Sequence, residues 1–250
     1  IMSDKFYSSE RNIQIVIALL KAHGIKKVVA SPGATNFSFV GSLQNDPWFE
    51  IYSSVDERSA AYIACGLAAE SGEPVVLSCT GSTASRNYYP GLTEAFYRKL
   101  PVLAITSHQG NDRIGQLIFQ NIDRHNIPYD IAKISVELPV VKDERDAAYV
   151  NMEANKAILE LRRNGGGPAH INILTICSGD FSVKELPQVR AFRRVQAWDP
   201  MPDMPQGSIC VYVGSHVQFT PSQVEALERF CTTHDAIVIC DHTSGYYGRY

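Results

Sequence analysis

The sequence predicts an α/β protein with a doubly wound, six-stranded parallel sheet and helices on both faces. Three observations predict this class. Short apolar runs alternate along the chain with segments of helical length. The runs lack the polar alternation of half-exposed strands, which is typical of strands buried on both faces. Each connection is long enough to hold a helix, and such crossovers join parallel strands with a right-handed turn.

The first helix is predicted from Ile13, Val16, Ile17 and Leu20, which recur at the spacing of one helix face. Ser8 and Ser9 can cap its start. Gly24 is suited to end it, because glycine adopts the left-handed conformation that follows many helices.

The remaining elements of the first domain are apolar runs separated by small-residue or periodic segments. Asp56 is placed to cap one helix, which Gly72 ends. The predicted strands are 26–31, 49–55, 74–80, 101–107, 134–138 and 169–174, and the further helices are 35–44, 57–71, 83–98 and 144–163.

The domain organisation is predicted from where this pattern stops. Residues 1–176 complete one domain. Residues 177–207 contain several prolines and are interpreted as a linker. Residues 208–250 begin a second α/β domain, with strands at 208–214 and 236–241 around a helix at 221–234. The elements are too few to close that domain.

Composition excludes several classes of partner. The chain is 45% hydrophobic and 20% charged, with a formal net charge of -3, which is typical of a globular protein without a basic surface for nucleic acid or membrane. The six cysteines show no CxxC spacing and the seven histidines no HxxxH or HExxH pair, so we expect reduced thiols and no metal site. No signal segment is visible, and we expect a cytoplasmic location.

Four loops follow strands at one predicted sheet edge. They are Ser31-Pro32-Gly33, Asp56-Glu57-Arg58, Thr80-Gly81-Ser82-Thr83 and 107–115. Open parallel sheets bind ligands at the carboxyl ends of their strands. The glycines allow close backbone approach and the hydroxyls supply small polar contacts, so the sequence predicts a ligand site at this edge.

Glu57 is the main catalytic candidate. An acidic residue at a helix start is ordinarily a surface group favoured by the helix dipole. Two features favour a functional role here. The following helix is rich in Ala, Ser, Cys and Gly, which permits close packing of a partner subunit or a flat cofactor, and Glu57 shares its sheet edge with the other loops.

Further polar residues near this edge are weaker candidates. Arg58 is an anchor for a substrate anion or, more simply, part of a structural ion pair. Asn87 can contact the site from beneath. Gln116 and Gln120, four residues apart, suit recognition of a carboxylate or hydroxyl, although a plain surface helix turn explains them nearly as well. Tyr88 and Tyr89 are interpreted as packing or interface residues.

The ordered motifs resemble a known family. The segments SPGATN, VDERSAAYIACGLA, TGSTASRNYYPGLTEA and GPAHIN resemble the pyrimidine-binding domain of thiamine diphosphate (ThDP) enzymes. The resemblance is greatest to SEPHCHC (2-succinyl-5-enolpyruvyl-6-hydroxy-3-cyclohexene-1-carboxylate) synthases of menaquinone biosynthesis. Their segments read SPGSRS, DERxxxxxALGLA, TSGTAxANLYPAxxEA and GPVHIN. Acetolactate synthases are similar but more distant.

The resemblance implies a role for each matching residue. Glu57 would hydrogen-bond N1′ of the cofactor's aminopyrimidine and so promote formation of the C2 ylid. We also expect Ser31, Pro32, Gly33, Thr80, Gly81, Ser82 and Asn87 to bind the cofactor. Thr35, Arg58, Gln116 and Gln120 are expected to bind the substrate; for Arg58, Gln116 and Gln120 this rests on their side-chain chemistry and not on the resemblance. A homodimer with shared active sites is implied, because the family's site lies between two chains.

Two departures limit the resemblance. The family's SPGSRS arginine, linked to isochorismate binding, is absent from SPGATN, so isochorismate is not predicted as the substrate. The GDG motif and following Asn that hold Mg²⁺ and the diphosphate are also absent, since Gly179-Asp180 is followed by Phe181. We therefore expect Mg²⁺ to be bound by a domain absent from this chain, and the chain to be inactive alone.

Three functions remain open at this point. The first is the pyrimidine-binding part of a SEPHCHC synthase-like 2-oxoacid decarboxylase and carboligase. The second is an acetolactate synthase-like enzyme or a simple 2-oxoacid decarboxylase. The third is a non-catalytic dimerisation or ligand-binding module. A nicotinamide dehydrogenase is not predicted, because the first strand–helix turn lacks the glycine fingerprint.

Overall fold

A computed structural model describes residues 6–124, 126–196, 198–204 and 206–250. The chain divides into two compact units, Ile1–Arg194 and Val195–Tyr250.

The first unit contains the six-stranded parallel sheet that the sequence predicts. Its strand order is β2-β1-β3-β4-β6-β5, with every pairing parallel. The strands are β1 (Lys27–Ala30), β2 (Glu50–Ser53), β3 (Val75–Thr80), β4 (Val102–His108), β5 (Ser135–Leu138) and β6 (Ala169–Leu174). The predicted fold class is confirmed.

Helices cover both faces of this sheet, and each face has its own buried cluster. The helices are α1 (Arg11–Ala22), α2 (Phe37–Gln44), α3 (Glu57–Ser71), α4 (Thr83–Asn87), α5 (Tyr89–Tyr97) and α6 (Glu144–Glu160). Helices α1, α2 and α6 share one cluster and α3 and α5 the other. The two buried clusters are separate because successive residues of a strand point to opposite faces of the sheet.

The local signals at helix ends are largely confirmed. The Asp56 carboxylate accepts a hydrogen bond from the Ser59 amide at 2.7 Å, and Gly72 ends α3 at a φ of 67°. Gly24 follows α1 at a φ of 70°. The predicted cap of α1 is wrong, because the helix begins at Arg11 and no side chain caps it.

The helix predicted over 83–98 is divided at Tyr88 into α4 and α5. Pro90 accounts for the division, because its ring nitrogen has no hydrogen to donate and its ring crowds the carbonyl four residues earlier. Proline is tolerated in the first turn of a helix, which is where it lies in α5.

The predicted linker is corrected in its first half, because residues 177–194 belong to the first unit. The buried Glu10 carboxylate accepts hydrogen bonds from the Ile176 and Ser178 amides at 3.0 and 2.9 Å. Val183 pairs with Tyr7, and its side chain packs against the core. Proline content alone could not predict that residues 177–194 belong to the first unit, because an extended segment that packs on a domain can have the same composition as a linker.

The second unit contains a parallel pair of strands, β7 (Cys210–Val213) and β8 (Ile237–Cys240), connected through α7 (Pro221–His234). These three elements agree with the sequence prediction. The Thr220 side chain and Gln223 form a reciprocal capping box at the start of α7. Within the described ranges, no helix combines the length and apolar character that crossing a bilayer requires.

Candidate functional site

The loops that follow β1, β3 and β4 are tied together at the carboxyl edge of the sheet. The Ser31 amide donates to the Ser78 carbonyl at 2.8 Å. The Thr35 hydroxyl donates to the Ser107 carbonyl at 2.9 Å. These bonds bring three of the predicted loops into one surface, as expected for neighbouring parallel strands.

Two glycines make this junction possible. A Cβ atom on Gly33 would lie 2.3 Å from the Thr80 Cγ2, and one on Gly81 would lie 2.3 Å from the Ser107 carbonyl oxygen. Both distances are too short for non-bonded atoms. The predicted close backbone approach is therefore present, and it joins the loops of adjacent strands to one another.

Asn36 was missed by the sequence reasoning, although it holds the first loop together. Its Oδ1 accepts from the Gly33 amide at 2.7 Å, and its Nδ2 donates to the Ser31 carbonyl at 3.1 Å. Asparagine after a Ser-Pro-Gly turn is a usable signal, because its short amide often bonds to nearby backbone.

Glu57 is the first residue of α3, which follows β2, and it is partly exposed. Among the described residues, no donor lies within hydrogen-bond or ion-pair reach of its carboxylate. Its negative charge makes a small contribution to raising the pKa values of Cys79 and Tyr88, after burial. Contact of the carboxylate with a ligand stays a prediction.

Cys79 and Tyr88 are buried in the cluster that packs against α3. Burial raises the pKa of the Cys79 thiol to about 12, and burial also raises the pKa of the Tyr88 hydroxyl well above its ordinary value. Both groups are therefore protonated at neutral pH. The Ser31 and Tyr88 hydroxyls are buried, and within the described part of the chain neither makes a hydrogen bond of ordinary geometry.

The other predicted cofactor residues differ in exposure. Ser82 is buried at the start of α4, and Thr80 and Asn87 are partly exposed. Pro32 is exposed at the outer side of its loop. All of them lie in the loops at the sheet edge or in the short helix that follows, and their contact with a cofactor stays a prediction.

The predicted substrate residues are not gathered into one place. Arg58 is exposed, and the Thr35 hydroxyl is already engaged with Ser107. The helix turn considered for Gln116 and Gln120 is absent, because Leu117 and Gln120 have φ values of 60° and 58°, which no right-handed helix contains. Both amides are exposed, and that of Gln116 donates to the Asp112 carbonyl at 2.5 Å.

Arg124 is a second residue that the sequence did not single out. Its guanidinium donates to the Gly81 carbonyl beneath the loop after β3. Burial lowers its pKa to about 10, which leaves it charged at neutral pH. It therefore fixes the Gly81 backbone from below. A lone arginine in an irregular segment gives no pattern that could have predicted this contact.

A polar network lies on the same face of the sheet, under the segment that follows β4. His170 Nε2 lies 2.8 Å from the Thr106 hydroxyl and its Nδ1 lies 2.7 Å from the Ser135 hydroxyl. Burial lowers the pKa of His170 to about 3, so the ring is neutral. Glu137 extends the network by accepting from Asn172 at 3.3 Å.

The residues at this edge fit the pyrimidine end of ThDP. An aminopyrimidine ring carries nitrogen donors and acceptors on its edge. The strand-end loops offer the carboxylate of Glu57 and the buried hydroxyl of Ser31, neither of which has an ordinary hydrogen-bond partner within the described ranges. In the described part of the chain, no three His, Cys, Asp or Glu side chains come together as a metal site would require.

An open, six-stranded parallel sheet with helices on both faces defines a doubly wound α/β domain. Residues 12–127 match the family described as thiamine pyrophosphate enzyme, N-terminal TPP binding domain, and the chain belongs to this family. The expected family is thereby confirmed.

The more particular similarity is to SEPHCHC synthases. The chain is 40% identical over 191 residues to the enzyme of Bacteroides thetaiotaomicron, an alignment that covers 76% of this chain and 34% of the relative. It is 39% identical over 191 residues to the enzyme of Phocaeicola vulgatus, with the same coverage. The enzyme of Porphyromonas gingivalis is 36% identical over 171 residues, which cover 68% of this chain and 30% of the relative. The chain thus spans about a third of the length of these curated relatives.

Proposed function

We propose that this chain is the pyrimidine-binding portion of a ThDP-dependent 2-oxoacid decarboxylase and carboligase of the SEPHCHC synthase type. One observation carries the proposal. The carboxylate of Glu57 lies at the start of α3, shortly after the end of β2, and has no hydrogen-bond or ion-pair partner among the described residues. The identity of 40% to an enzyme named SEPHCHC synthase supports the same chemistry.

When bound, ThDP supplies a carbon nucleophile that protein side chains lack. The chain's own contribution is to bind and orient the pyrimidine end. Glu57 would hold a hydrogen-bonded proton at its carboxylate against a ring nitrogen. Ser31, Gly33, Gly81 and Ser82 would line the pocket with small groups, and Asn87 would contact it from α4.

The proposal assigns only the pyrimidine end to these residues. The diphosphate and Mg²⁺ would be held by another domain, and isochorismate is not proposed as the acceptor. The position of the related arginine is taken by Thr35, whose hydroxyl is engaged with the Ser107 carbonyl. This observation favours a second candidate function, an acetolactate synthase-like enzyme or simple decarboxylase with another substrate.

Carbon dioxide release by the complete protein tests the proposed chemistry. With ThDP and Mg²⁺ present, we expect release from a 2-oxo acid, and comparison of 2-oxoglutarate with pyruvate separates the two candidates. Release from 2-oxoglutarate supports the SEPHCHC synthase type and release from pyruvate the acetolactate synthase type. No ThDP-dependent release from either acid would favour a non-catalytic module.

We also propose that a second copy of the chain covers α3. Tyr62 and Ile63 are 47% and 41% exposed on its outer face, and Gly66 beside them has open space around it. A helix face of exposed apolar and small residues is suited to close packing against another subunit. A partner there would close the pocket next to Glu57 and exclude water from it.

The substitution Ile63→Arg is expected to weaken self-association of the complete protein by at least about tenfold, because a charge would be buried at the interface. Sedimentation velocity over a range of concentrations measures this. Met152→Arg is the matched control, because Met152 is similarly exposed on α6, which packs in the other buried cluster. Equal self-association of both variants and the unmodified protein would contradict the proposed interface.

A further inference from the structure

Arg124 is a partly buried cation in the segment that follows β4, and the proposed function gives it no role. Its guanidinium donates a hydrogen bond to the carbonyl of Gly81, in the loop that follows β3. Withdrawing a charge from water costs free energy. A partly buried arginine that donates to the backbone of a predicted cofactor loop therefore calls for an explanation.

A second arginine joins the same two segments in the opposite direction. Arg86, in α4, donates to the carbonyl of Asp123 at 2.9 Å, and its guanidinium lies 5.2 Å from the centroid of the Tyr89 ring. Residues 123 and 124 are therefore docked on the loop after β3 and on the helix that follows it, by one hydrogen bond in each direction.

The Gly81 backbone is held from three sides. Besides the Arg124 guanidinium, the Ser85 hydroxyl oxygen lies 3.2 Å from the Gly81 carbonyl oxygen. A Cβ atom on Gly81 would lie 2.3 Å from the Ser107 carbonyl oxygen, so the backbone also touches β4. Glycine allows more backbone orientations than any other residue, and these contacts select one of them.

The direction of the Gly81 carbonyl decides the direction of the next amide. A trans peptide unit is planar, with its C=O and the following N–H on opposite sides, and the described peptide units are trans. The Ser82 N–H therefore points away from Arg124. Ser82 is the residue before α4, so its amide has no acceptor within that helix.

We propose that Arg124 is a positioning residue, which holds the Gly81–Ser82 peptide so that the Ser82 N–H is directed at the pyrimidine end of the bound cofactor. The inference rests on the proposed function, which places Gly81 and Ser82 in the cofactor pocket. A hydrogen bond from a cation to the carbonyl also polarises the peptide unit and strengthens its N–H as a donor. Without Arg124 the peptide would rotate at the glycine, and binding would weaken because only a fraction of the chains would present the amide.

Calorimetry of ThDP binding to the complete protein, with Mg²⁺ present, tests the inference. Arg124→Met removes every donor of the side chain and keeps an unbranched stem. We expect the dissociation constant to rise about tenfold, as for the loss of a hydrogen bond made by a charged group. Arg124→Lys should stay within about threefold of the unmodified protein, because an ammonium group can still donate to the carbonyl.

The matched control is Arg86→Met. It removes the other hydrogen bond between the same two segments and one positive charge, and it leaves the Gly81 carbonyl bonded to Arg124. Its dissociation constant should stay within about threefold of that of the unmodified protein. Circular dichroism shows whether each variant is folded at the temperature of the binding measurement.

Unchanged affinity in Arg124→Met would overturn the inference. An equal loss in Arg86→Met or in Arg124→Lys would also overturn it, because the effect would then belong to docking of the segment and not to the bond with Gly81. The unmodified protein separates this inference from the proposed function. If the complete protein does not bind ThDP, both fail, whereas binding that Arg124→Met leaves intact removes only the positioning role.

Discussion

Replacement of Glu57 by glutamine is expected to slow C2-proton exchange of bound ThDP in the complete protein by at least about 100-fold. General acid–base groups contribute about 10²–10⁴-fold to proton transfer, and glutamine cannot hold the proton that a carboxylate holds. The substitution conserves size and leaves the Asp56 cap of α3 in place. Binding of ThDP should therefore persist while exchange is lost. Proton NMR after quenching in acid measures the exchange rate directly.

The matched control for this experiment is Glu70→Gln. Glu70 is an exposed carboxylate in the last turns of the same helix, remote from the strand-end loops. Glu70→Gln removes one negative charge, as Glu57→Gln does, and it should leave the rate of C2-proton exchange unchanged. A Glu57→Gln protein that binds ThDP and exchanges at the normal rate would falsify the catalytic role and favour the non-catalytic module.

Replacement of Gly81 by alanine is expected to lower the stability of the first unit by about 1–3 kcal/mol, the usual cost of overpacking. The added Cβ would lie 2.3 Å from the Ser107 carbonyl oxygen. That oxygen belongs to β4, a central strand whose backbone is hydrogen-bonded on both sides, so it cannot move away alone. Thermal or urea unfolding followed by circular dichroism measures the loss.

The control for this substitution is Gly179→Ala. A Cβ atom on Gly179 meets nothing within 4 Å, and its φ is not in the left-handed region. Alanine there should leave the melting temperature unchanged or slightly higher, since it restricts the unfolded chain. Equal stability of both variants would show that the loops after β3 and β4 are not packed as closely as described.

The architecture could be predicted because its signals are local. Apolar runs give the strands, and Gly72 and Asp56 give the ends of α3 through backbone conformation and capping. The division of the helix at Tyr88 was missed even though Pro90 is a local signal. The end of the first unit was placed too early because contacts such as Tyr7 with Val183 join residues far apart in sequence.

The candidate site could be predicted in part. The loops after β1 and β3 meet as expected, because the carboxyl ends of neighbouring parallel strands share one edge. The helix turn that would have placed Gln116 and Gln120 side by side is absent, because left-handed residues interrupt the segment. A spacing of four residues brings side chains together only within a helix. Arg124 and Asn36 were missed because their importance lies in which backbone carbonyl or amide each one reaches.

The sequence by itself determined the sheet, the helix ends and the family, because hydrophobic periodicity, capping residues and ordered motifs are properties of short segments. Only the tertiary structure decided which polar groups are buried and which of them lack partners among the described residues. The physical reason is that hydrogen bonding and burial depend on distances between segments. Ser31 and Tyr88 are separated by two strands in the sequence, yet both hydroxyls are buried, and neither makes an ordinary hydrogen bond within the described residues.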